Sequence, residues 1–563
     1  MPTLTIDGKP YAFEGKKMIL QVALENDHEI PHYCYHPGLS IVASCRICLA
    51  EVAQPNPRNN NKLELIPKLM PTCQTPAADG MVIQTASPKS IANQKAVMEY
   101  LLINHPLDCP VCDQAGECHL QDYSFEYGRS ESRFIEDKIK QPVKDIGTHV
   151  KLYGDRCIMC SRCVRFTREV SGTSEIAIFG RGAIEQIDVF PGHPLENELS
   201  GNVVDICPVG ALLDKDFLFS QRVWFLKETP SIDGITASGD NISIHHNEGK
   251  VYRFKPRANL DVNKWWISDE VRYGWKFIHS EERLKTPMRK QLGDQMVCDW
   301  KKAIADAAHG LRGAATPLPL RERPGEGQPS GAPASPKIAF IISPMLTCEE
   351  AYALGKLARG LDPMAALIVG PIPKQGEDKT FPGGYTLYAE KCPNSRGVRR
   401  ALETVTGDAK QVHAYNEGLA LLADKKSTIK AVLLTGNFPS TWTTKELTDA
   451  VRGKFSVLLD TLPNDLSSKC DVLLPSVTWA EKAGTFENAK GRLQAFAQAI
   501  APVEGAHSEG QIALDLLAAC GLAGRAIFDA SIVRQNMGEP FLEGVEQPVA
   551  QRAEEADLQY VEL

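Results

Sequence analysis

The sixteen cysteines of this 563-residue chain matter more for where they fall than for their number. Eleven lie between Cys34 and Cys207, whereas Cys298, Cys348, Cys392, Cys470 and Cys520 are scattered singly. Disulfides do not persist in a reducing compartment, so a clustered set of thiols there reads as metal ligation. The scattered five read as small buried hydrophobes.

Three ligand sets follow from the spacing. The first is Cys34, Cys45, Cys48 and Cys73, with Cys45 and Cys48 on one tight loop and the others arriving from either side. Four cysteines with one close pair suit a [2Fe–2S] cluster, in which two sulfurs hold each iron; a four-cysteine zinc site would draw on two close pairs. The second set is His105, Cys109, Cys112 and Cys118, with Gly116 allowing the backbone to turn back to Cys118. Spacing alone fits either a zinc site of three cysteines and a histidine or a His-ligated [4Fe–4S] cluster. The third set is Cys157, Cys160 and Cys163, with the distant Cys207-Pro208. Three cysteines at two-residue intervals plus a remote Cys-Pro are half of a bacterial two-cluster ferredoxin. The other half needs thiolates where the chain has Thr167, Asn197, Ser200 and Val203, so one cubane is expected there. Arg156, Arg162, Arg165 and Arg168 surround this loop, either to offset a cluster's charge or as a solvated basic face.

The elements that must position these residues can be traced. Asp7-Gly8 between alternating runs predicts a hairpin, and Ile19, Val22 and Ala23 then share a helix face, with Leu20 and Leu24 beside it. A hairpin, a helix and a cysteine loop fit a small β-grasp ferredoxin. Residues 54–70, rich in Pro and Asn, read as a surface insertion, and Ile91, Val97, Leu101 and Leu102 mark a helix over about 88–104. Strands are expected at Asn241–His246 and Val251–Phe254. His245-His246 lies on the first of them without a carboxylate or cysteine partner, which speaks against a metal site. Residues 312–336, crowded with Pro, Gly and small residues, read as a disordered linker. Beyond it, the apolar runs at Ile338, Ala366, Ala431 and Phe455 alternate with helical stretches such as Glu349–Leu361, which implies a parallel sheet.

Composition excludes several classes. The chain is too long for one core, and its net charge of −8 argues against a nucleic-acid binder. No apolar run approaches the roughly 18 residues of a membrane span. The first residues start directly in a strand-like alternation without a targeting leader, so a cytoplasmic protein of a bacterium-like cell is expected. Gly-rich phosphate loops, flavin motifs and Walker sequences are missing, so neither NADH nor flavin is expected on this chain.

The three sets in this order resemble the large iron–sulfur subunit of respiratory complex I, the proton-pumping NADH:quinone oxidoreductase. The resemblance rests on Cys45–Val52, Asn104–Asp122, Asp155–Glu169 and Gly201–Ala211. More loosely, Asn263–Glu270 and Asp471–Arg492 resemble the molybdopterin-oxidoreductase-like part of that family. The resemblance implies a [2Fe–2S] cluster on the first set and [4Fe–4S] clusters on the second and third. It implies a multidomain α+β and α/β chain: a β-grasp [2Fe–2S] ferredoxin at 1–88, a His-ligated [4Fe–4S] segment at 89–130 and a bacterial-ferredoxin-like [4Fe–4S] domain at 145–222. A degenerate molybdopterin-oxidoreductase part follows, at 223–285 and 286–563. Some bacterial members carry an extra cluster near 228–231; Glu228–Gly234 holds no cysteine, so that cluster is expected to be absent. Cys348, Cys392 and Cys470 lie outside any molybdenum-ligand motif, so no molybdenum and no independent active site are expected.

The function so implied is an electron relay, with the His-ligated set aside from the main line. Electrons would come from a flavin- and NADH-binding subunit, beside a small [2Fe–2S] subunit, and leave toward quinone-side iron–sulfur subunits. The chain would be peripheral on the cytoplasmic face of the cell membrane, touching it only through the complex. The alternative is an electron-transfer or catalytic subunit of a formate-dehydrogenase-like or NAD-linked hydrogenase complex. A further rival is a zinc-stapled scaffold without redox activity.

Overall fold

Asp7 and Gly8, at φ 47° and 84°, close the hairpin between β1 (Thr3–Ile6) and β2 (Lys9–Ala12). In the computed structural model, which describes residues 1–315, 335–542 and 545–547, the chain forms two units. The first comprises Met1–Leu226 and Thr380–Tyr385, the second Lys227–Lys379 and the remainder from Thr386.

In the first unit the hairpin extends into a six-stranded β-grasp sheet. β1 pairs parallel with β6 (Val82–Gln84), which pairs antiparallel with β3 (Leu49–Asn56); β4 (Lys62–Leu65) and β5 (Met70–Pro71) pair with β3. Helix α1 (Ile19–Glu25) buries Ile19, Leu20, Val22 and Ala23 against this sheet's core and leaves Leu24 outside. The Pro- and Asn-rich stretch is not irregular: β3 and β4 form an exposed hairpin there.

Helix α2 (Pro88–Leu102) forms where expected but buries a different face. Ser90, Gln94 and Met98 point inward, while Ile91 is exposed. Ser90 and Gln94 donate to the carbonyls of Gln84 and Thr85, at the end of β6, and these acceptors explain why polar residues took the inner face. Then come α3 (His119–Tyr127), a sheet of β7 (Val143–Asp145), β8 (Val150–Tyr153) and β9 (Leu212–Asp214), and the short helices α4 (Arg162–Phe166) and α5 (Asn202–Ile206).

The second unit opens with an antiparallel sheet of β10 (Lys227–Ile232), β11 (Asn241–Asn247) and β12 (Lys250–Pro256). Among the described residues its main sheet has eight strands. The six parallel ones are β13 (Ile338–Ile342), β14 (Ala366–Val369), β15 (Val412–His413), β16 (Ala431–Thr435), β17 (Phe455–Asp460) and β18 (Val472–Pro475). Across the sheet they run β15-β14-β13-β16-β17-β18, and an antiparallel hairpin, Met288–Gln291 with Asp294–Val297, extends the β18 edge. In chain order this is 3-2-1-4-5-6, the doubly wound arrangement with a topological switch point between β13 and β16. Ile338–Ile342 is buried on both faces, as a central parallel strand covered by helices must be.

Helix α6 (Trp300–Ala314) takes the first residues of the expected linker, and 316–334, most of the remainder, lie outside the described residues. Of the five scattered cysteines, Cys348, Cys392, Cys470 and Cys520 are buried in apolar clusters, and Cys298 packs against one.

Candidate iron–sulfur centres

The first set sits on the loops around β3 and β5. Thr72 donates its backbone N–H and its hydroxyl to the Cys48 carbonyl (3.3 and 3.0 Å), tying the Cys48 loop to the one that carries Cys73. Cys34 lies close enough to Cys45 and Cys73, and Cys48 to Cys73, for each thiol to alter its neighbour's hold on a proton. This influence pulls the Cys34 thiol well below its ordinary range and Cys48 down to about 7, while Cys45 and Cys73 are pushed up.

The second set converges on one cavity, lined by His105, Cys109, Cys112 and Cys118 with Asp108 and Arg156. Gly116, at φ 91°, turns the chain between Cys112 and Cys118, in the left-handed region that favours glycine. Cys118 stands at the N-cap of α3, and burial pushes its thiol up to about 12. Burial, with the charges of Arg156 and Lys138, lowers His105 to about 4, so its imidazole is neutral near pH 7 and offers a lone pair. Gly210 closes the cavity: a Cβ there would lie 2.2 Å from the Cys112 Sγ.

The third set, Cys157, Cys160, Cys163 and Cys207, lines a separate cavity whose other walls are mainly aliphatic. Met159 and Ser161, at φ 54° and 59°, wind the loop around it, and the Met159 N–H donates to the Cys157 Sγ (3.4 Å). Burial raises all four thiols, Cys157 to about 12 and Cys207 to about 11. They are therefore neutral without metal, and ligation must displace their protons. Thiols ringing a cavity without carboxylates fit an iron–sulfur cluster. Among the described residues, no three His, Cys, Asp or Glu side chains gather in a group that could hold a single metal ion.

The arginines around this loop are not a solvated face. Arg156, Arg162 and Arg165 are buried, and only Arg168 is exposed. Arg156 pairs with Asp108 (2.9 Å) and lies over the Tyr153 ring. Arg162 donates to the carbonyls of Ile206 (3.1 Å) and Tyr35 (2.5 Å). Arg165 donates to the carbonyls of Cys34, Ser40 and Cys160. These bonds cross between sets, a role that spacing along the chain does not reveal.

Where a second ferredoxin cluster would need thiolates, Thr167, Asn197, Ser200 and Val203 are all buried. Thr167 donates to the Val164 carbonyl (3.2 Å), and Asn197 is bonded to Glu175. His246 is hydrogen-bonded to Thr229 (2.9 Å), and His245 lies 3.5 Å from the Arg253 guanidinium.

A pterin dinucleotide does not fit the second unit at the switch point, where such ligands bind in doubly wound sheets. There Ser343 donates its N–H to the Thr435 hydroxyl (2.8 Å), across the ends of β13 and β16. Asn437 donates to Glu509 (2.7 Å), and Lys482 bonds both Glu350 and Glu509 (2.8 Å each), all four buried. The chain's own charges fill that crevice.

Family models match in an order that follows these sites. They are a 2Fe-2S iron-sulfur cluster binding domain (1–88), the NADH-ubiquinone oxidoreductase-G iron-sulfur binding region (94–133) and the NADH-quinone oxidoreductase subunit 3 ferredoxin-like domain (147–213). The NADH-ubiquinone oxidoreductase NDSU1/NuoG-like 4Fe-4S domain matches 226–276, a stretch without any cysteine, and molybdopterin oxidoreductase matches 374–519. Curated relatives include the mitochondrial NADH-ubiquinone oxidoreductase 78 kDa subunit of Neurospora crassa, 41% identical over 311 residues (55% of this chain, 40% of the relative). The mitochondrial NADH dehydrogenase [ubiquinone] iron-sulfur protein 1 of Solanum tuberosum is 43% identical over 304 residues (54% and 40%). An NADH-quinone oxidoreductase subunit of Rickettsia conorii is 38% identical over 312 residues (55% and 45%). The aligned part spans less than half of each of these relatives. A solved chain of NAD+-reducing [NiFe]-hydrogenase is 26% identical, covering 39% of this chain and 91% of that one, at a TM-score of 0.34. Over its aligned iron–sulfur half, the chain is similar to the large iron–sulfur subunits of NADH-quinone and NADH-ubiquinone oxidoreductases.

Proposed function

We propose that this chain is an electron-relay subunit of a proton-translocating NADH:quinone oxidoreductase. In this reading Cys34, Cys45, Cys48 and Cys73 hold a [2Fe–2S] cluster. His105, Cys109, Cys112 and Cys118 hold one [4Fe–4S] cluster, and Cys157, Cys160, Cys163 and Cys207 another. Such clusters, when bound, take up and release single electrons. The observation that carries the reading is the convergence of the second and third sets on one cavity each.

The residues around the ligands have defined tasks. Arg156, Arg162 and Arg165 bring buried positive charge to anionic centres and fix the ligand loops through backbone carbonyls. Aliphatic walls at the third set keep water away, which together with charge and hydrogen bonding sets reduction potential. Neutral His105 in place of a thiolate removes one negative charge, which favours reduction at the second set.

The domain division proposed is that of the resemblance: 1–88, 89–130, 145–222, 223–285 and 286–563. The second unit holds neither flavin nor molybdenum in this reading and serves as scaffold. The flavin- and NADH-binding subunit, the small [2Fe–2S] subunit and the quinone-side iron–sulfur subunits are the proposed partners. The proposed place is the cytoplasmic face of the cell membrane. No helix among the described residues is long and apolar enough to cross a membrane. Against a formate-dehydrogenase-like or hydrogenase role stands the burial of Cys348, Cys392 and Cys470 in apolar clusters, away from any metal-ligand motif.

Iron and acid-labile sulfide analysis of the purified chain tests the proposal. About ten iron atoms per chain, with little zinc and no molybdenum, are expected. Zinc at about three per chain, or stoichiometric molybdenum, would reject it.

A further inference from the structure

With the switch-point crevice filled, the second unit still presents an open cleft of about 490 Å³. It lies beyond the carboxyl ends of β14 and β15, lined by Val369–Ile372 after one strand and Ala414–Asn416 after the other. The cleft lies at the carboxyl edge of the sheet, one strand removed from the switch point, and its volume falls in the range of about 300–1,000 Å³ common for small-molecule sites.

Charge and polarity together define the ligand class. Lys374, Arg396 and Arg399 line the cleft against one carboxylate, Glu390. The arginines are loosely held: Arg396 lies 3.4 Å from Glu390 and Arg399 3.6 Å from Glu403, with both side chains about two-fifths exposed. Each can therefore turn to a stronger acceptor at small cost. Helix Ser395–Thr406 begins at the same wall with no acidic residue in its first turn. Its N-cap residue, Asn394, spends its side chain elsewhere, on the Leu346 carbonyl and the Glu487 N–H. That helix start adds partial positive charge to the basic rim. Val369, Ile372 and the Tyr415 ring give the cleft an apolar floor.

We propose that this cleft binds a phosphorylated small molecule, its phosphate on Arg396, Arg399 and Lys374 and its less polar part on Ile372 and Tyr415. The inference concerns the second unit alone and stands whether or not the relay assignment does. Calorimetric titration of the full cluster-loaded chain tests it, with inorganic pyrophosphate and with ADP as probes, in about 0.15 M salt to screen surface attraction. One saturable site per chain is expected. The Lys374→Ala/Arg399→Ala variant should weaken it at least about tenfold, the scale of one lost charge-assisted bond. A Lys425→Ala/Lys426→Ala control, which removes the same charge from an exposed turn, should leave it unchanged. Circular dichroism and iron content show that each variant is folded. Tighter binding of ADP assigns a nucleotide, and equal binding of both probes assigns the phosphate alone; either supports the site. No saturable binding of either probe, or equal weakening in both double variants, overturns it.

Discussion

Arg165 donates to the carbonyl of Cys34 and, at 3.4 Å, to that of Cys160, so one buried guanidinium joins backbones of the first and third ligand sets. It also donates to the Ser40 carbonyl and the Ser161 hydroxyl (3.3 Å), and Glu169 accepts from Ser40 N–H (2.9 Å) and hydroxyl (2.6 Å). Two sets far apart in sequence thus share one positive charge.

Arg165→Met should therefore disturb two centres at once. Potentiometric titration followed by low-temperature spin resonance should show the first- and third-set signals shifted or broadened, and the second-set signal unchanged. Arg165→Lys keeps the charge and should recover most of the potential without restoring all of these bonds. A change confined to one set would mean that the guanidinium does not couple them.

Gly210→Ala addresses the second set alone. A methyl group 2.2 Å from the Cys112 sulfur must displace that ligand or the backbone. Iron content should fall by about four atoms per chain, with first- and third-set signals intact. Full iron loading in this variant would show that the loop yields without cost.

Lys482 is the sole ammonium that the structure pairs with Glu350 and Glu509 among the described residues. Lys482→Met takes the cation from between two buried acidic side chains, which costs about 3–5 kcal/mol. A matching drop is expected in the denaturant midpoint of the second unit's unfolding, with iron content unaltered. An unchanged midpoint would mean that water enters the crevice.

Stability should also fall on the alkaline side. Burial raises Glu509 to about 8, with Lys482 opposing, against 4.5 for the ordinary carboxyl. The folded state holds this proton more tightly than the unfolded one, so its contribution is complete below the unfolded value and is lost as pH climbs through the folded one. Melting temperature should decline between about pH 5 and pH 9, and Glu509→Gln should flatten that decline. Equal slopes in both proteins would place the titration elsewhere.

Some of this molecule can be read along the chain because the relevant physics is local. Cysteines two residues apart must lie on one loop, Asp7-Gly8 must turn, and runs such as Ile338–Ile342 must be buried. The three ligand sets, the β-grasp hairpin and the parallel sheet follow from those constraints. The strand order is not local: the reversal at β13 and β16 depends on where each connection lands. The inner face of α2 is not legible along the chain, because apolar periodicity cannot foresee the carbonyls of Gln84 and Thr85, which draw in Ser90 and Gln94. The basic residues around Cys157–Cys163 likewise take their meaning from distant acceptors, Cys34, Tyr35 and Asp108. Sequence by itself determined which thiols group as candidate ligands, because thiol chemistry and spacing are properties of the chain. Tertiary structure alone decided which charges are buried beside them and which crevice is closed, because desolvation and pairing exist only once remote segments meet.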